Sequence, residues 1–256
     1  MDIQIKSESF KLFLERCSVG GIIKDLVIHT TSNNSIMAKF GDKSGTLYGE
    51  VYSGGVKITT EGNIKIPNLK KITSIIDQCE SDIIRIKSSD DAFVITDGNT
   101  VGKFNVNILQ TSDAEIVESY DPIKEVPNMF DKDVLAYADG KINYANGCSI
   151  PVEKLKQILK DSSAFGYEIF KLEVAKNVLK CKIECNQTGE KFSRIIANDK
   201  FIGSHAVIPT TIVGIGFKEV VKAVDKSKIV NIYIDDQSWL ITDNKEYFFN
   251  LHTLED

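Results

Sequence analysis

The sequence is short of the residues from which most reactive centres are built. It has three histidines, His29, His205 and His252, and no spacing among them suits a shared metal. Its five cysteines, Cys17, Cys79, Cys148, Cys181 and Cys185, are odd in number and include no CxxC. That argues against a disulfide framework or a zinc knuckle and fits a reducing compartment. Cys181 and Cys185 fall four apart in a strand pattern, a spacing that places two packed thiols on one face. No GxxxxGK[ST] loop occurs, and Gly214-Ile215-Gly216 is too short to cradle a dinucleotide. The carboxylate pairs Asp90-Asp91 and Asp235-Asp236 sit at expected hairpin turns, where aspartate serves backbone geometry. No nucleophile and base stand together. The chain is therefore read as a non-enzyme with no metal and no cofactor. No apolar run is long enough to span a bilayer, and the start, MDIQIKSESF, lacks a basic region followed by an apolar stretch. A cytoplasmic protein without a membrane partner is expected.

What is present is an ordinary globular composition, 42% hydrophobic and 26% charged, in 256 residues, room for two domains. The formal net charge is −5, so most of the surface is not a nucleic-acid coat.

The sequence also repeats itself. Ser81 to Asp97, SDIIRIKSSDDAFVITD, aligns without gaps on Ser227 to Asp243, SKIVNIYIDDQSWLITD, at an offset of 146, with seven of 17 positions identical. At an offset of 145, Ile5, Phe10, Lys11, Phe13 and Leu14 fall on Ile150, Leu155, Lys156, Ile158 and Leu159, and Ile72, Ile75 and Ile76 fall on Phe217, Val220 and Val221. Two copies of one domain are expected, about residues 1–109 and 141–256.

Apolar spacing predicts helices over 7–19, 67–79, 151–162 and 216–227, with Ser7 as an N-cap and Pro67 and Pro151 at first helical positions. Strand patterns follow each second helix: Ile83–Lys87, Ala92–Thr96 and Val101–Leu109, then Ile229–Ile234, Trp239–Thr242 and Tyr247–Leu254. Each domain then reads strand, helix, three strands, helix, three strands, an α+β layout with two helices on antiparallel sheet. Thr111 to Asp133, acidic and proline-bearing, reads as an extended surface connector within 110–140.

This duplicated arrangement resembles the sliding-clamp family, both the archaeal and eukaryotic proliferating-cell clamps and the shorter clamps of tailed phages. The resemblance rests on IPNLKKITSIIDQCESDIIRIKSSDDAFVITDG and FKEVVKAVDKSKIVNIYIDDQSWLITD, with FGDKSGTLYGEV and YFFNLHTLED. It implies a homotrimer closed head-to-tail into a ring around duplex DNA, helices lining the hole and sheet outside. It also implies a DNA polymerase and other clients that bind through short peptides, and a separate clamp-loader ATPase. The location would be nucleoid-associated, or nuclear in a eukaryote.

The charge pattern fits a DNA-facing helical surface. The four expected helices, the last extended to residue 228, carry +4 together, which leaves −9 for the rest. Lys11, Lys70, Lys71, Lys154, Lys156, Lys160, Lys218, Lys222 and Lys226 are the candidate DNA-facing residues, and Lys218, Lys222 and Lys226 would form one helical stripe. Lysines make sequence-independent, salt-sensitive phosphate contacts, which suit sliding. By its position in the family, a client-peptide pocket would draw on Phe40, Leu47, Ile123, Val126, Phe249 and Leu251. The rival readings are a monomeric processivity factor of the same fold, a clamp that also coactivates transcription, and an enzyme on a duplicated scaffold.

Overall fold

In the computed structural model the described residues are 1–89, 92–105, 135–136, 143–144, 146–166, 169–175, 178–185, 188–198, 210–234, 238–243 and 245–252. The chain divides into two compact units. One is Met1–Lys43 with Tyr48–Ser119 and Lys245–Tyr247; the other is Ser44–Leu47 with Tyr120–Asn244 and Phe248–Asp256. The expected connector lies outside the described residues except for β10 (Leu135–Ala136), which pairs with β11 (Asn143–Tyr144).

The first unit begins with β1 (Asp2–Lys6), whose alternation buries Ile3 and Ile5. The chain passes straight into α1 (Ser7–Ser18), which buries Phe10, Phe13, Leu14 and Cys17. Five strands follow: β2 (Leu26–Thr31), β3 (Ser35–Gly41), β4 (Leu47–Ser53), β5 (Lys57–Thr60) and β6 (Asn63–Ile66). Then come α2 (Leu69–Ile76), β7 (Ile83–Ser88), β8 (Ala92–Thr96) and β9 (Val101–Asn105). One antiparallel sheet runs β5-β1-β7-β8-β9, and β6-β2-β3-β4 form a second ladder.

The second unit opens with β12 (Asn146–Pro151) and α3 (Val152–Phe165). Next are β13 (Ile169–Ala175), β14 (Val178–Glu184), β15 (Lys191–Asn198) and β16 (Thr210–Val213), then α4 (Gly214–Ala223). It closes with β17 (Ile229–Ile234), β18 (Ser238–Thr242) and β19 (Tyr247–His252). The ladders are β15-β14-β13-β16 and β12-β17-β18-β19. Phe217 of α4 packs between Phe170 of β13 and Trp239 of β18, at ring-centre distances of 4.8 and 5.5 Å, so one aromatic side chain joins both ladders to the helix.

The duplication is exact at the level of hydrogen-bond register. Arg85, Ile86, Lys87 and Ser88 pair with Thr96, Ile95, Val94 and Phe93, and Asn231, Ile232, Tyr233 and Ile234 pair with Thr242, Ile241, Leu240 and Trp239. Every partner is displaced by the 146 residues found in the sequence. Ile3 and Ile5 oppose Ile86 and Ile84 as Cys148 and Ile150 oppose Ile232 and Val230. Even the helix entry repeats. The Ser7 amide donates to the Asp82 carbonyl at 2.9 Å, and the Val152 amide to the Lys228 carbonyl at 3.1 Å. Each first helix also ends near a left-handed glycine in the same place, Gly21 at φ +96° and Gly166 at φ +72°. A one-residue slip would turn each strand's buried set outward, so the shared register shows that both copies solve the same packing problem.

The local expectations need four corrections. Ser7 is the first residue of α1 and not its N-cap; Lys6 holds the cap position without a side-chain bond, and the Ser7 hydroxyl lies 3.3 Å from the Ser81 and Asp82 carbonyls. Pro67 stands outside α2, which Asn68 caps by accepting from the Lys71 amide. Pro151 ends β12 as the residue before α3, since the ladder to Ile229 claims it. Between the helices lie five strands in the first unit and four described strands in the second, against three expected.

Asp97 fastens the β8–β9 turn to the segment entering β7. Its carboxylate accepts from the amides of Thr100, Glu80, Asn99 and Ser81 at 2.6 to 3.3 Å, and these bonds, Thr100 foremost, hold its pKa down to about 2. A depressed carboxylate contributes stability above its unfolded value and loses it as pH falls through the folded one. We therefore expect Asp97→Asn to lower the melting temperature at neutral pH and to flatten its decline between about pH 4 and pH 2. Equal declines in both proteins would refute the role.

Candidate nucleic-acid interface

The four helices decide where the candidate lysines stand. On α1, Lys11 reaches Asp77, the residue that follows α2. On α3, Lys156 pairs with Glu153 at 2.9 Å and with Asp225, which follows α4. Lys11 and Lys156 are equivalent in the duplication, so the same tie between first helix and second-helix exit occurs twice. The hydrogen bonds that Lys11 donates to Asp77 and Lys156 to Asp225 raise both lysine pKa values. These two cations are already neutralised by neighbours. Lys222 pairs with Glu219 at 2.7 Å.

Lys70, Lys71, Lys154, Lys160 and Lys218 are exposed and have no ion-pair partner among the described residues. Lys226 is exposed but lies past the end of α4. The helix stops at Ala223, and the Val224, Asp225 and Ser227 amides close a turn back onto Val220, Lys222 and Val224. The expected stripe Lys218–Lys222–Lys226 is thus a helical pair with its third member in the turn.

Counting charges along a helix misjudges two of the four. Arg16 of α1 points inward, 6% exposed, with its guanidinium 2.6 Å from Glu246 and over the ring of Tyr247. At the equivalent position of α3 stands Asp161, also turned in. Burial pushes its carboxyl up, but the Arg194 guanidinium and Gln157 bind it and leave its pKa below the usual value. The same inward position removes a positive charge from the outer face of α1 and a negative charge from that of α3. What remains outside is negative on α1, where Glu8 and Glu15 outnumber Lys11, and positive on α3. The helical positive charge therefore rests on α2, which carries Lys70 and Lys71 and no acid, and on α3 and α4 of the second unit, and not on α1.

Each unit has a cleft where its first helix ends and its second begins. In the first it measures about 670 Å³ and is lined by Glu15, Ser18, Ile23, Asp25, Leu69 and Lys70, among others. In the second, Ser163, Gly166, Phe170, Ile215 and Lys218 border about 360 Å³. Neither brings a nucleophile against a base. Among the described residues no three His, Cys, Asp or Glu side chains are placed to hold a metal ion. Cys181 is buried in β14 and its pKa is pushed up by that burial, while Cys185 lies just past the strand and starts a turn closed by Gly189. The expected packed thiol pair is one core thiol and one turn residue. His29 pairs with Asn63 at 2.8 Å, and His205, Asp90-Asp91 and Asp235-Asp236 lie outside the described residues.

The client-pocket candidates divide differently. Phe40 on β3, Leu47 on β4, and Phe249 and Leu251 on β19 are all interior, none more than 3% exposed. An arriving side chain meets solvent-facing atoms first, so these four are packing residues. Ile123 and Val126 lie outside the described residues. Among the described residues no helix is long and apolar enough to cross a membrane.

If the exposed lysines contact phosphate and the tied ones do not, substitution separates them. Lys154→Met and Lys218→Met should each lower the slope of log affinity for duplex DNA against log salt by about one, and Lys11→Met and Lys156→Met should leave it unchanged. Equal slopes for all four variants would contradict the division.

By sequence the chain matches no protein-family model and no curated protein. By structure it is similar to the Proliferating Cellular Nuclear Antigen of Entamoeba histolytica, with a TM-score of 0.71 and 16% identity over 99% of this chain and 98% of that one. It is similar to the DNA polymerase III beta subunit of Borrelia burgdorferi, with a TM-score of 0.72 and 14% identity over 100% of this chain but only 63% of that one. A chain of the PCNA2-PCNA3 complex of Sulfolobus tokodaii aligns over 99% of both chains, with a TM-score of 0.67 and 11% identity. These neighbours are sliding clamps, and the architecture built here from two copies of one α+β unit is the sliding-clamp fold.

Proposed function

We propose that the protein is a DNA polymerase processivity factor, a homotrimeric ring that encircles duplex DNA and has no catalytic centre of its own. The observation that carries this reading is the end-to-end match of this duplicated chain to a sliding clamp of nearly the same length. Two further features support it. The exposed, unpaired lysines of α3 and α4 give the attraction to phosphate that a sliding contact needs, without the bidentate base reading typical of arginine. In addition β9 and β15 are end strands of their ladders among the described strands. The open backbone edge of an end strand invites another chain, and edge-to-edge pairing between copies closes a ring while leaving the side-chain faces of the sheets uncovered.

The remaining partners follow from that role. A ring without a phosphate loop needs a separate loader ATPase to open it. Clients would bind by short peptides near the connector, with Ile123 and Val126 as apolar anchors.

Light scattering at micromolar concentration should give about three times the 28.5 kDa chain mass. The triple variant Lys154→Glu, Lys160→Glu, Lys218→Glu should keep that mass and its melting temperature but cut the polymerase's product length about tenfold. A monomeric wild type would favour the single-chain processivity factor, and unchanged product length in the variant would remove the helices from the DNA contact.

A further inference from the structure

Within the first unit, α1 and α2 cover one face of the β5-β1-β7-β8-β9 sheet. Ile3, Ile5, Ile84, Ile86, Phe93, Ile95 and Phe104 fill that face, and a side chain at Gly102 would meet Ile75 of α2. The opposite face is polar and strongly positive. Strand alternation places Lys57, Lys6, Arg85, Lys87 and Lys103 on it, against one acid among the described strand residues, Asp2. In a chain of net charge −5 this is a local reversal of sign. It lies on the side of the sheet away from α1 and α2, so the lysines of those two helices do not explain it.

Three details define what the face would hold. First, it already holds a carboxylate. Asp2 accepts from Arg85 at 2.9 and 2.7 Å in a two-pronged bond, and Lys87 stands 3.7 Å away. The Arg85 bond, with the neighbouring cations, leaves the Asp2 carboxyl below its ordinary pKa. Lys6, Lys57 and Lys103 are exposed with no such partner among the described residues. Second, aliphatic side chains are interspersed with the cations. Ile83, opposite Lys6, is 55% exposed, and Val101, two residues before Lys103, is 66% exposed. A duplex offers phosphates but nothing to bury these against, and among the described residues no aromatic side chain on the face offers a stacking platform for single-stranded bases. Third, the other copy lacks the charge. Pro151, Asn231, Tyr233 and Asn250 stand where Lys6, Arg85, Lys87 and Lys103 stand, and Tyr233 lies against Gly147, the counterpart of Asp2. The cations belong to this copy and not to the shared fold.

We propose that this sheet face is a docking surface for an acidic segment of a partner protein with interspersed aliphatic side chains. Adjacent strands lie about 4.8 Å apart, so Lys87 and Lys103, separated by one strand, are roughly 10 Å apart. Carboxylates at alternate positions of an extended chain repeat every ~7 Å, close enough to engage successive cations while the intervening residues cover Ile83 and Val101. Much of the attraction is solvent-exposed and therefore weakens with salt.

The test uses the full chain and a fluorescent peptide of alternating Glu and Leu, read by anisotropy, with a polyglutamate peptide and a duplex oligonucleotide as comparators. Saturable binding of the Glu-Leu peptide is expected, tighter than that of polyglutamate. The variant Lys6→Glu, Lys57→Glu, Lys103→Glu should weaken it at least about tenfold, and Ile83→Ser with Val101→Ser should weaken it without changing the salt dependence. Lys154→Glu with Lys218→Glu should leave it unaltered, which keeps this outcome separate from the DNA contact. Melting temperatures confirm that all variants fold. No binding by the wild type, equal binding by the sheet variant, or duplex binding that is lost with the sheet cations in place of peptide binding would each overturn the proposal.

Discussion

The antiparallel pairing of a unit's first strand with the strand that follows its second helix is the constraint on which everything else rests. β1 against β7, and β12 against β17, bring together residues about 80 positions apart in sequence. Once that register is set, Ile3, Ile5, Ile84 and Ile86 are committed to one side, and so are Cys148, Ile150, Val230 and Ile232. Each first helix then starts where its strand ends, tied by one amide to the chain entering the pairing strand. The apolar stripe of that helix has only this face to cover. Helix placement, and with it the position of every candidate lysine, is a consequence of strand register.

This explains why the fold was legible in the sequence. The alternation in SDIIRIKSSDDAFVITD and its copy is a period-two signal strong enough to survive at seven identities, and the register it implies is the one formed. The helices were legible from Phe10, Phe13, Leu14 and Cys17 and their counterparts. Boundaries were less so, because capping is decided by distant contacts. Asn68 caps α2 in a left-handed conformation, and Asp25 in turn receives its amide. The extra strands between the helices were missed because short segments such as Lys57–Thr60 have one half-buried apolar residue and no clear alternation.

The candidate interface was only partly legible, for a reason specific to charge. A helical wheel places a charged residue by angle but cannot say whether a partner waits for it. Arg16 and Asp161 occupy one equivalent inward position with opposite signs, and Glu246 and Arg194, remote in sequence, neutralise them. Lys11 and Lys156 are held by acids beyond the neighbouring helix. The basic sheet face had a readable signal, cations at alternate positions in IIRIK and at Lys6 and Lys103, but summing all non-helical charge to −9 hid it. Charge has to be assigned to faces before it can be added.

Likeness to clamps over nearly the whole chain, with exposed cations on α3 and α4, underlies the proposal that the protein surrounds DNA. Retention on closed and open DNA tests that claim most directly. After loading onto nicked circular DNA, the protein should remain with the DNA through a sizing column and leave when a single restriction cut linearises it. Equal loss from circular and linear DNA would contradict encirclement.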